Sequence, residues 1–221
     1  MKFSHFIENL FGDRAKIRVY RVLTRHSEGM TGRAIACLID VSPFKINQVL
    51  RELVEEGIVE AASVGKANLY RLNRRHVLTR DLVGFLVAYE DGFLKKFGEE
   101  IMQRLDPKPL SVILYGSIAR GEEGPKSDLD LCLVYADDDP LPGPLTEAGS
   151  PLSEWVGRTY GNPVSVIRSL LSDFKQRAQT RDPLMRNVIK EGRVIAGLSI
   201  TEILDYGRKK TQHGRSPQKR V

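Results

Sequence analysis

The chain has 221 residues, 41% hydrophobic and 28% charged, a composition typical of folded domains and long enough for two small ones. No apolar run approaches the ~20 residues that cross a bilayer, and the first residues lack a secretory pattern, so we expect a cytoplasmic protein without a membrane partner. The net charge of +6 is uneven: residues 106–206 are net acidic, whereas residues 207–221 hold six basic residues and no acidic ones, which favours nucleic-acid contact at the ends.

Three helices are predicted near the start of the chain. The first covers residues 13–25, where apolar residues recur on one helical face, and the second covers residues 31–39, beginning at a threonine suited to an N-cap. The third has Ser42 at its N-cap and Pro43 in its first turn, and it ends before Gly57. The apolar stripe of this third helix is predicted to consist of Phe44, Ile46, Val49, Leu50, Leu53 and Val54.

The next segment, IVEAASVGKANLYRL, predicts a hairpin of two strands around a Gly-Lys-Ala-Asn turn. Helix, helix, capped helix and hairpin in this order resemble the winged helix-turn-helix family of DNA-binding domains. The resemblance implies that residues 43–56 form the recognition helix and that the hairpin forms the wing. The DNA-binding residues would then be Lys45, Asn47, Gln48, Arg51, Lys66 and Arg71. The alternative is a solvated helix face and an ordinary hairpin tip, in a domain that contacts proteins.

Residues 74–105 predict a long amphipathic helix that breaks near Gly92, connects two domains and has a face suited to a homodimer. Cys37 and Cys132 lie in separate segments that we predict to be buried, each as a free thiol.

A second region combines a strand, a glycine turn and two aspartates. Residues 110–115 predict a buried strand, and Gly116-Ser117 follows at the start of a helix, where backbone N–H groups can receive an anion. Asp128 and Asp130 open the next strand. Because residues two apart on a strand point to the same face, both carboxylates can converge on one Mg²⁺ ion.

The complete spacing is Gly-Ser-x-Ala-Arg-Gly, five residues, then Ser-Asp-Leu-Asp-Leu, and it resembles the nucleotidyltransferases of the DNA polymerase beta superfamily. The nearest branch, the minimal nucleotidyltransferases, includes toxin–antitoxin partners. The resemblance implies a mixed β-sheet with flanking helices, closed by the helix and strand of residues 182–197. The chain as a whole is therefore predicted to be α+β, with a winged helix-turn-helix domain followed by a nucleotidyltransferase domain.

The resemblance also implies roles for individual residues. Gly116 and Ser117 would bind the triphosphate of a nucleotide, ATP being the commonest in the family. Asp128 and Asp130 would be the catalytic residues and would bind Mg²⁺ or Mn²⁺. Arg120 would steady the turn or reach a phosphate, or else form a surface ion pair. From its place just before the aspartates, Ser127 would cap or position the turn, and we count it among the nucleotide-binding residues.

The sequence departs from the family pattern at one position. Active members carry a third carboxylate on a later strand, and the aligned residue here is Ser165, which supplies neither charge nor a base. Residues 137–139 and Asp173 are weak substitutes, and we interpret the former as a solvated acidic loop. The histidines have no metal-ligand spacing; they are His5, His26, His76 and His213.

Two functions follow. The first is a Mg²⁺-dependent transferase that moves a nucleoside monophosphate to a hydroxyl of a protein, a small molecule or RNA. The second is a DNA-binding regulator or antitoxin that binds nucleotide, or a small helical toxin-like partner, without efficient catalysis. The predicted organisation is a winged domain at 1–73, a linker helix at 74–107, a transferase domain at 108–206 and a disordered basic tail at 207–221.

Overall fold

A computed structural model describes residues 6–124, 127–143, 145, 150–180 and 182–206. The chain divides into two compact units, residues 1–92 and 93–221. The basic tail of residues 207–221 lies outside the described residues, and no helix among the described ones is both long and apolar enough to cross a membrane.

The first unit is a winged helix-turn-helix. Its elements are α1 (Phe6–Phe11), α2 (Arg14–Arg25), β1 (Met30–Thr31), α3 (Gly32–Leu38), α4 (Pro43–Glu55), β2 (Val59–Val64) and β3 (Ala67–Leu72). The strands form an antiparallel sheet in the order β1-β3-β2. The three predicted helices and the hairpin are confirmed, and the N-cap hydroxyls of Thr31 and Ser42 accept backbone hydrogen bonds as expected. The short α1 and β1 were not predicted.

Helix α4 is held from two sides. Its buried residues, Ile46, Val49, Leu50 and Leu53, belong to the single core of this unit. On the α2 side, the ammonium of the buried Lys16 lies 3.2 Å from a carboxylate oxygen of Glu52 and 3.8 Å from one of Glu56. This core and these ion pairs fix which face of α4 remains open to solvent.

Three expectations for this half of the chain were wrong. Phe44 is 82% exposed, because the first turn of α4 points it away from the core that Ile46 enters two residues later. Cys37 is exposed, whereas Cys132 is buried, and both thiols are free. The long helix has no break at Gly92: a π-helical turn at residues 79–83 leads directly into α5 (Gly84–Arg104).

The second unit is built on a mixed four-stranded sheet. After α5 come β4 (Ser111–Tyr115), α6 (Gly116–Arg120), β5 (Leu129–Tyr135), α7 (Pro151–Tyr160), β6 (Val164–Leu170), α8 (Leu171–Gln179), α9 (Pro183–Glu191), β7 (Arg193–Gly197) and α10 (Ile200–Asp205). The strand order is β6-β5-β4-β7, with β5 and β6 parallel and the other pairs antiparallel. The predicted closing helix and strand correspond to α9 and β7.

Both faces of this sheet are covered by helices. Phe97 and Ile101 of α5, Leu105 just after it, and helix α7 pack on the face that carries Leu129, Leu131 and Leu133. Helices α8, α9 and α10 pack on the opposite face, which carries Cys132 and Val134. Asp130 belongs to this second row by the two-residue period of a strand. Almost all of β5 is therefore buried, and polar side chains reach solvent only near the start of the strand.

Two glycines of α5 provide a matched test of this packing. A Cβ on Gly98 would lie 2.6 Å from the carbonyl oxygen of Ile195 on β7, whereas a Cβ on Gly92 would meet nothing within 4 Å. We expect Gly98→Ala to lower the free energy of unfolding by about 1–3 kcal/mol. We expect Gly92→Ala to raise it by about 0.5–1 kcal/mol, because alanine favours helix. Urea denaturation measures both changes, and equal stability of the two variants would contradict the packing.

Candidate active site at the start of strand β5

The candidate site lies where β4 ends and β5 begins. Because β4 and β5 are antiparallel neighbours, the end of β4 at Tyr115 lies beside Asp130. Gly116 and Ser117 continue from Tyr115 into the short helix α6, and Asp128 immediately precedes β5. The glycine turn and the paired carboxylates, twelve residues apart at Gly116 and Asp128, are thus brought together by one strand pairing.

Gly116 and Asp130 are in direct contact. Gly116 has a positive φ of 76°, and a Cβ at this position would overlap the carboxylate of Asp130. Both facts disfavour a larger residue, since L-residues rarely adopt this conformation and the carboxylate of Asp130 would have to move away from a Cβ. The glycine therefore lets the turn of α6 approach the carboxylate closely.

Ser165 completes a row of three side chains across the sheet. Asp130 pairs with Tyr115 on one side and with Ser165 on the other, in parallel register on β6. Side chains of directly paired residues share a face of the sheet, so the aligned position predicted for a third carboxylate is the neighbour of Asp130. A hydroxyl stands there instead of a carboxylate.

The carboxylate of Asp130 lies in an unfavourable environment for its charge. Burial, and secondarily the nearby Asp128, raise the pKa of Asp130, and the positive charge of Arg120 offsets this only in part. Among the described residues, no hydrogen-bond donor contacts this carboxylate. Burial, with a contribution from Asp130, also raises the pKa of Tyr115 to about 12, so its phenol is neutral at physiological pH.

The loop before β5 is held in place by hydrogen bonds within it and by hydrogen bonds to the segment before β6. The hydroxyl of Ser127 accepts a 2.9 Å hydrogen bond from the backbone N–H of Gly124, and the carbonyl of Ser127 accepts one from the side-chain amide of Asn162, also at 2.9 Å. The backbone N–H of Leu129 donates to the carbonyl of Pro163 at 2.8 Å. Ser127 thus orients the backbone next to Asp128.

Arg120 forms ion pairs. Its guanidinium lies 2.7 Å from a carboxylate oxygen of Glu122 and 3.1 Å from one of Glu191 on α9. These two partners raise the pKa of Arg120. The surface ion pair that was considered for Arg120 is present, and it ties the end of α6 to α9.

The proposed substitutes for a third carboxylate lie elsewhere. Asp137 accepts a 2.8 Å hydrogen bond from the backbone N–H of Ser172, and Asp173 one of 3.1 Å from the hydroxyl of Ser169. Both belong to the far end of β5 and β6, away from Asp130. No cluster of three metal-ligating side chains occurs in the described part of the chain. His5 and His213 fall outside it.

The residues predicted to bind DNA lie on α4 and the hairpin. Asn47, Gln48 and Arg51 are on the exposed face of α4, and Lys66 is exposed in the two-residue turn between β2 and β3, shorter than the predicted turn. Three of the six residues already have partners, which limits their freedom. The side-chain amide of Gln48 donates a 3.4 Å hydrogen bond to a carboxylate oxygen of Glu52. Lys45 lies 2.6 Å from a carboxylate oxygen of Asp13, and Arg71 donates a 2.8 Å hydrogen bond to the carbonyl of Glu28.

Sequence reasoning missed four residues that shape these surfaces. Tyr115 and Asn162 border the carboxylate site, Glu191 holds Arg120, and Phe44 is exposed on α4. Only Phe44 left a usable signal, because it precedes Asn47, Gln48 and Arg51 by three, four and seven residues and so shares their helical face. The others depend on strand register and on contacts between distant segments.

Residues 95–196 match the family model of the nucleotidyltransferase domain. This range includes the glycine turn, both aspartates and all four strands of the mixed sheet except the last residue of β7. Residues 95–196 are therefore similar to the nucleotidyltransferase domain family, and the winged helix-turn-helix unit precedes them in the chain. No curated protein matches the chain.

Solved structures with distant similarity include proteins of both kinds. A toxin-antitoxin structure with AMP-PNP is 17% identical, with 54% of this chain and 87% of that chain covered and a TM-score of 0.37. The antimony-specific transcriptional repressor AntR is 16% identical, with 39% and 75% covered and a TM-score of 0.34. A mutant of ZitR from Lactococcus lactis in complex with DNA is 15% identical, with 42% and 61% covered and a TM-score of 0.33. Scores this low do not support an inference about function.

The environment of Asp130 predicts a pH-dependent gain in stability for Asp130→Asn. The raised pKa of Asp130 in the folded state means that its negative charge destabilises the fold. This destabilisation is absent below the ordinary pKa of an aspartate and fully present above the raised pKa. At neutral pH the variant should melt at a higher temperature than the wild type, and the difference should shrink on acidification. Asp138→Asn, in an exposed loop, is the control. A lower melting temperature for Asp130→Asn at neutral pH would refute this account.

Proposed function

We propose that the protein is a DNA-binding nucleotidyltransferase that binds a nucleoside triphosphate with a divalent cation and transfers the nucleoside monophosphate slowly to a hydroxyl. The contact between Gly116 and Asp130 carries this proposal, because it joins a turn suited to phosphate with a carboxylate that lacks a partner among the described residues. ATP is the proposed donor, and the acceptor hydroxyl belongs to a protein, a small molecule or RNA. The proposed location is the cytoplasm.

Each residue of the site has a proposed role. The backbone of Gly116 and the hydroxyl of Ser117 bind the triphosphate, since no side chain intervenes at the glycine. Ser127 positions Asp128, and Arg120 links the turn to α9 while its charge acts on Asp130. In the reaction, the acceptor oxygen forms a bond to the α-phosphorus, pyrophosphate leaves, and the proton of the acceptor is released.

The residues present fit a hard divalent cation such as Mg²⁺ or Mn²⁺. Two adjacent carboxylates, Asp128 and Asp130, repel each other, and the described residues place only Arg120 near enough to offset this charge. Mg²⁺ is commonly bound by one or two carboxylates, with the remaining ligands from substrate phosphates and water. When bound, the cation supplies charge stabilisation to the phosphates.

A second candidate function is favoured by Ser165. The neighbour of Asp130 on β6 is a hydroxyl, which is not a base at neutral pH, and the other acidic residues considered lie at the far end of the sheet. Loss of a general base typically lowers a rate by about 10²–10⁴-fold. A regulator or antitoxin that binds nucleotide, DNA or a small helical toxin-like partner without efficient turnover is consistent with this substitution.

Restoration of the third carboxylate separates the two candidates. With labelled ATP, Mg²⁺ and candidate acceptors, we expect slow transfer by the wild type and at least about 10²-fold faster transfer by Ser165→Asp. Ser165→Asn has nearly the size of Ser165→Asp without its charge and should gain nothing. The double change of Asp128→Ala with Asp130→Ala should abolish both transfer and Mg²⁺-dependent ATP binding.

The outcomes differ clearly between the candidates. ATP binding that depends on both aspartates, without transfer even by Ser165→Asp, would support the regulator. Transfer that survives loss of both aspartates would refute the site itself. A wild type that binds no nucleotide with either metal would refute both proposals for this domain.

DNA binding by the first unit is supported by the exposure of Arg51 on α4 and Lys66 at the hairpin turn. We expect salt-sensitive binding to duplex DNA that weakens in Arg51→Ala and Lys66→Ala. Each lost phosphate contact should reduce the slope of log affinity against log salt by about 1. Fluorescence anisotropy at several salt concentrations measures this. The exposed Arg158 of the second unit provides the control, Arg158→Ala, and equal weakening in all three variants would argue against the assigned face.

A homodimer is also proposed, on α5. Phe85 and Tyr89 stack on each other with their ring centroids 6.1 Å apart, and both are exposed, as is Leu86. Exposed apolar groups on one helix are suited to a second copy or to the toxin-like partner.

A further inference from the structure

Phe44 is a large apolar side chain on a face of α4 that is otherwise polar. It is 82% exposed and lies outside the core of the winged unit. Asn47, Gln48 and Arg51 follow it at helical spacings of three, four and seven residues, so all four side chains form one exposed stripe along α4. The stripe begins with a phenyl ring in the first turn of the helix.

Folding of this unit gives no reason for a phenylalanine at this position. The core contacts of α4 come from Ile46, Val49, Leu50 and Leu53, and the capping of its first turn comes from the hydroxyl of Ser42. A protein-docking patch would require apolar neighbours, but the next residues along the stripe carry amides and a guanidinium. The ring is therefore suited to a partner surface that offers small apolar groups among polar ones.

The major groove of DNA is such a surface. Thymine presents a 5-methyl group there, next to the hydrogen-bonding edge of its paired adenine, and amide side chains match that adenine edge. In helix-turn-helix domains the first residues of the recognition helix contact base edges. Phe44 occupies the second residue of α4, and Asn47 and Gln48 lie one turn further along.

We propose that Phe44 contacts the 5-methyl group of thymine and gives α4 a preference for A·T pairs. This inference rests on the proposed DNA-binding function and extends it to sequence preference. Lys45 is paired with Asp13, and the side-chain amide of Gln48 donates a 3.4 Å hydrogen bond to Glu52, so the apolar ring and the amide of Asn47 are the groups of this turn best placed to meet base edges. Arg51 and Lys66 then provide the contacts with phosphate.

The test removes the methyl group from the DNA and the ring from the protein. Duplexes enriched by the wild type from a randomised library are resynthesised with deoxyuridine at each thymine in turn, and affinities are measured by fluorescence anisotropy. Loss of a methyl contacted by Phe44 should weaken wild-type binding about fourfold, the effect of exposing one methylene-sized group. Phe44→Ala should bind thymine and uracil duplexes equally.

Leu184→Ala is the matched control, since Leu184 is an exposed apolar residue (39% exposed) on α9 of the second unit and its variant should retain the full thymine preference. Unchanged thermal unfolding of Phe44→Ala verifies that its fold is intact. If wild-type affinity is the same for thymine and uracil at every position, or if Phe44→Ala keeps the preference, the inference is wrong while DNA binding stands. A wild type that enriches no duplex refutes the DNA-binding function and the inference with it.

Discussion

The close approach of Gly116 to the carboxylate of Asp130 is the constraint on which the site in the second unit depends. It requires a glycine with a positive φ immediately after β4 and an antiparallel pairing of β4 with β5. It also requires an aspartate as the second residue of β5. Each of these conditions fixes the next, because the pairing sets the register and the register sets which side chain meets the turn. The helices on both faces bury the remainder of the sheet and hold this register.

The same contact explains the charge balance of the site. Asp130 is partly buried beside another carboxylate, and the described residues offset its charge only through Arg120, which is itself shared with Glu122 and Glu191. A third carboxylate at position 165 would add a further negative charge directly beside Asp130. Ser165 therefore reduces the repulsion within the protein, and under the proposed function it also lacks the base that rapid transfer would use. In that proposal, stability and turnover are opposed at this position.

The first unit applies a different constraint to a single helix. The core contacts of α4 and the ion pairs of Lys16 determine how α4 rotates about its axis, and this rotation exposes Phe44 together with the polar stripe. A purely apolar criterion assigns Phe44 to the core, although it precedes the buried Ile46 and Val49 by two and five residues and so lies on the opposite helical face. The hydroxyl cap at Ser42 starts the helix, and the packing of Ile46 then turns Phe44 outward.

Local pattern was sufficient for the elements whose signals lie within one helix or one turn. Caps and periodicity predicted the three helices of the winged unit, and the spacing of Gly116, Asp128 and Asp130 indicated the nucleotidyltransferase domain that the family match supports. The exposure of Phe44 could have been predicted from its helical spacing, but the exposure of Cys37, the continuity of α5 and the contact of Arg120 with Glu191 were not accessible in this way. They depend on contacts between segments far apart in the chain, and such contacts arise only when helices pack on a sheet or on one another.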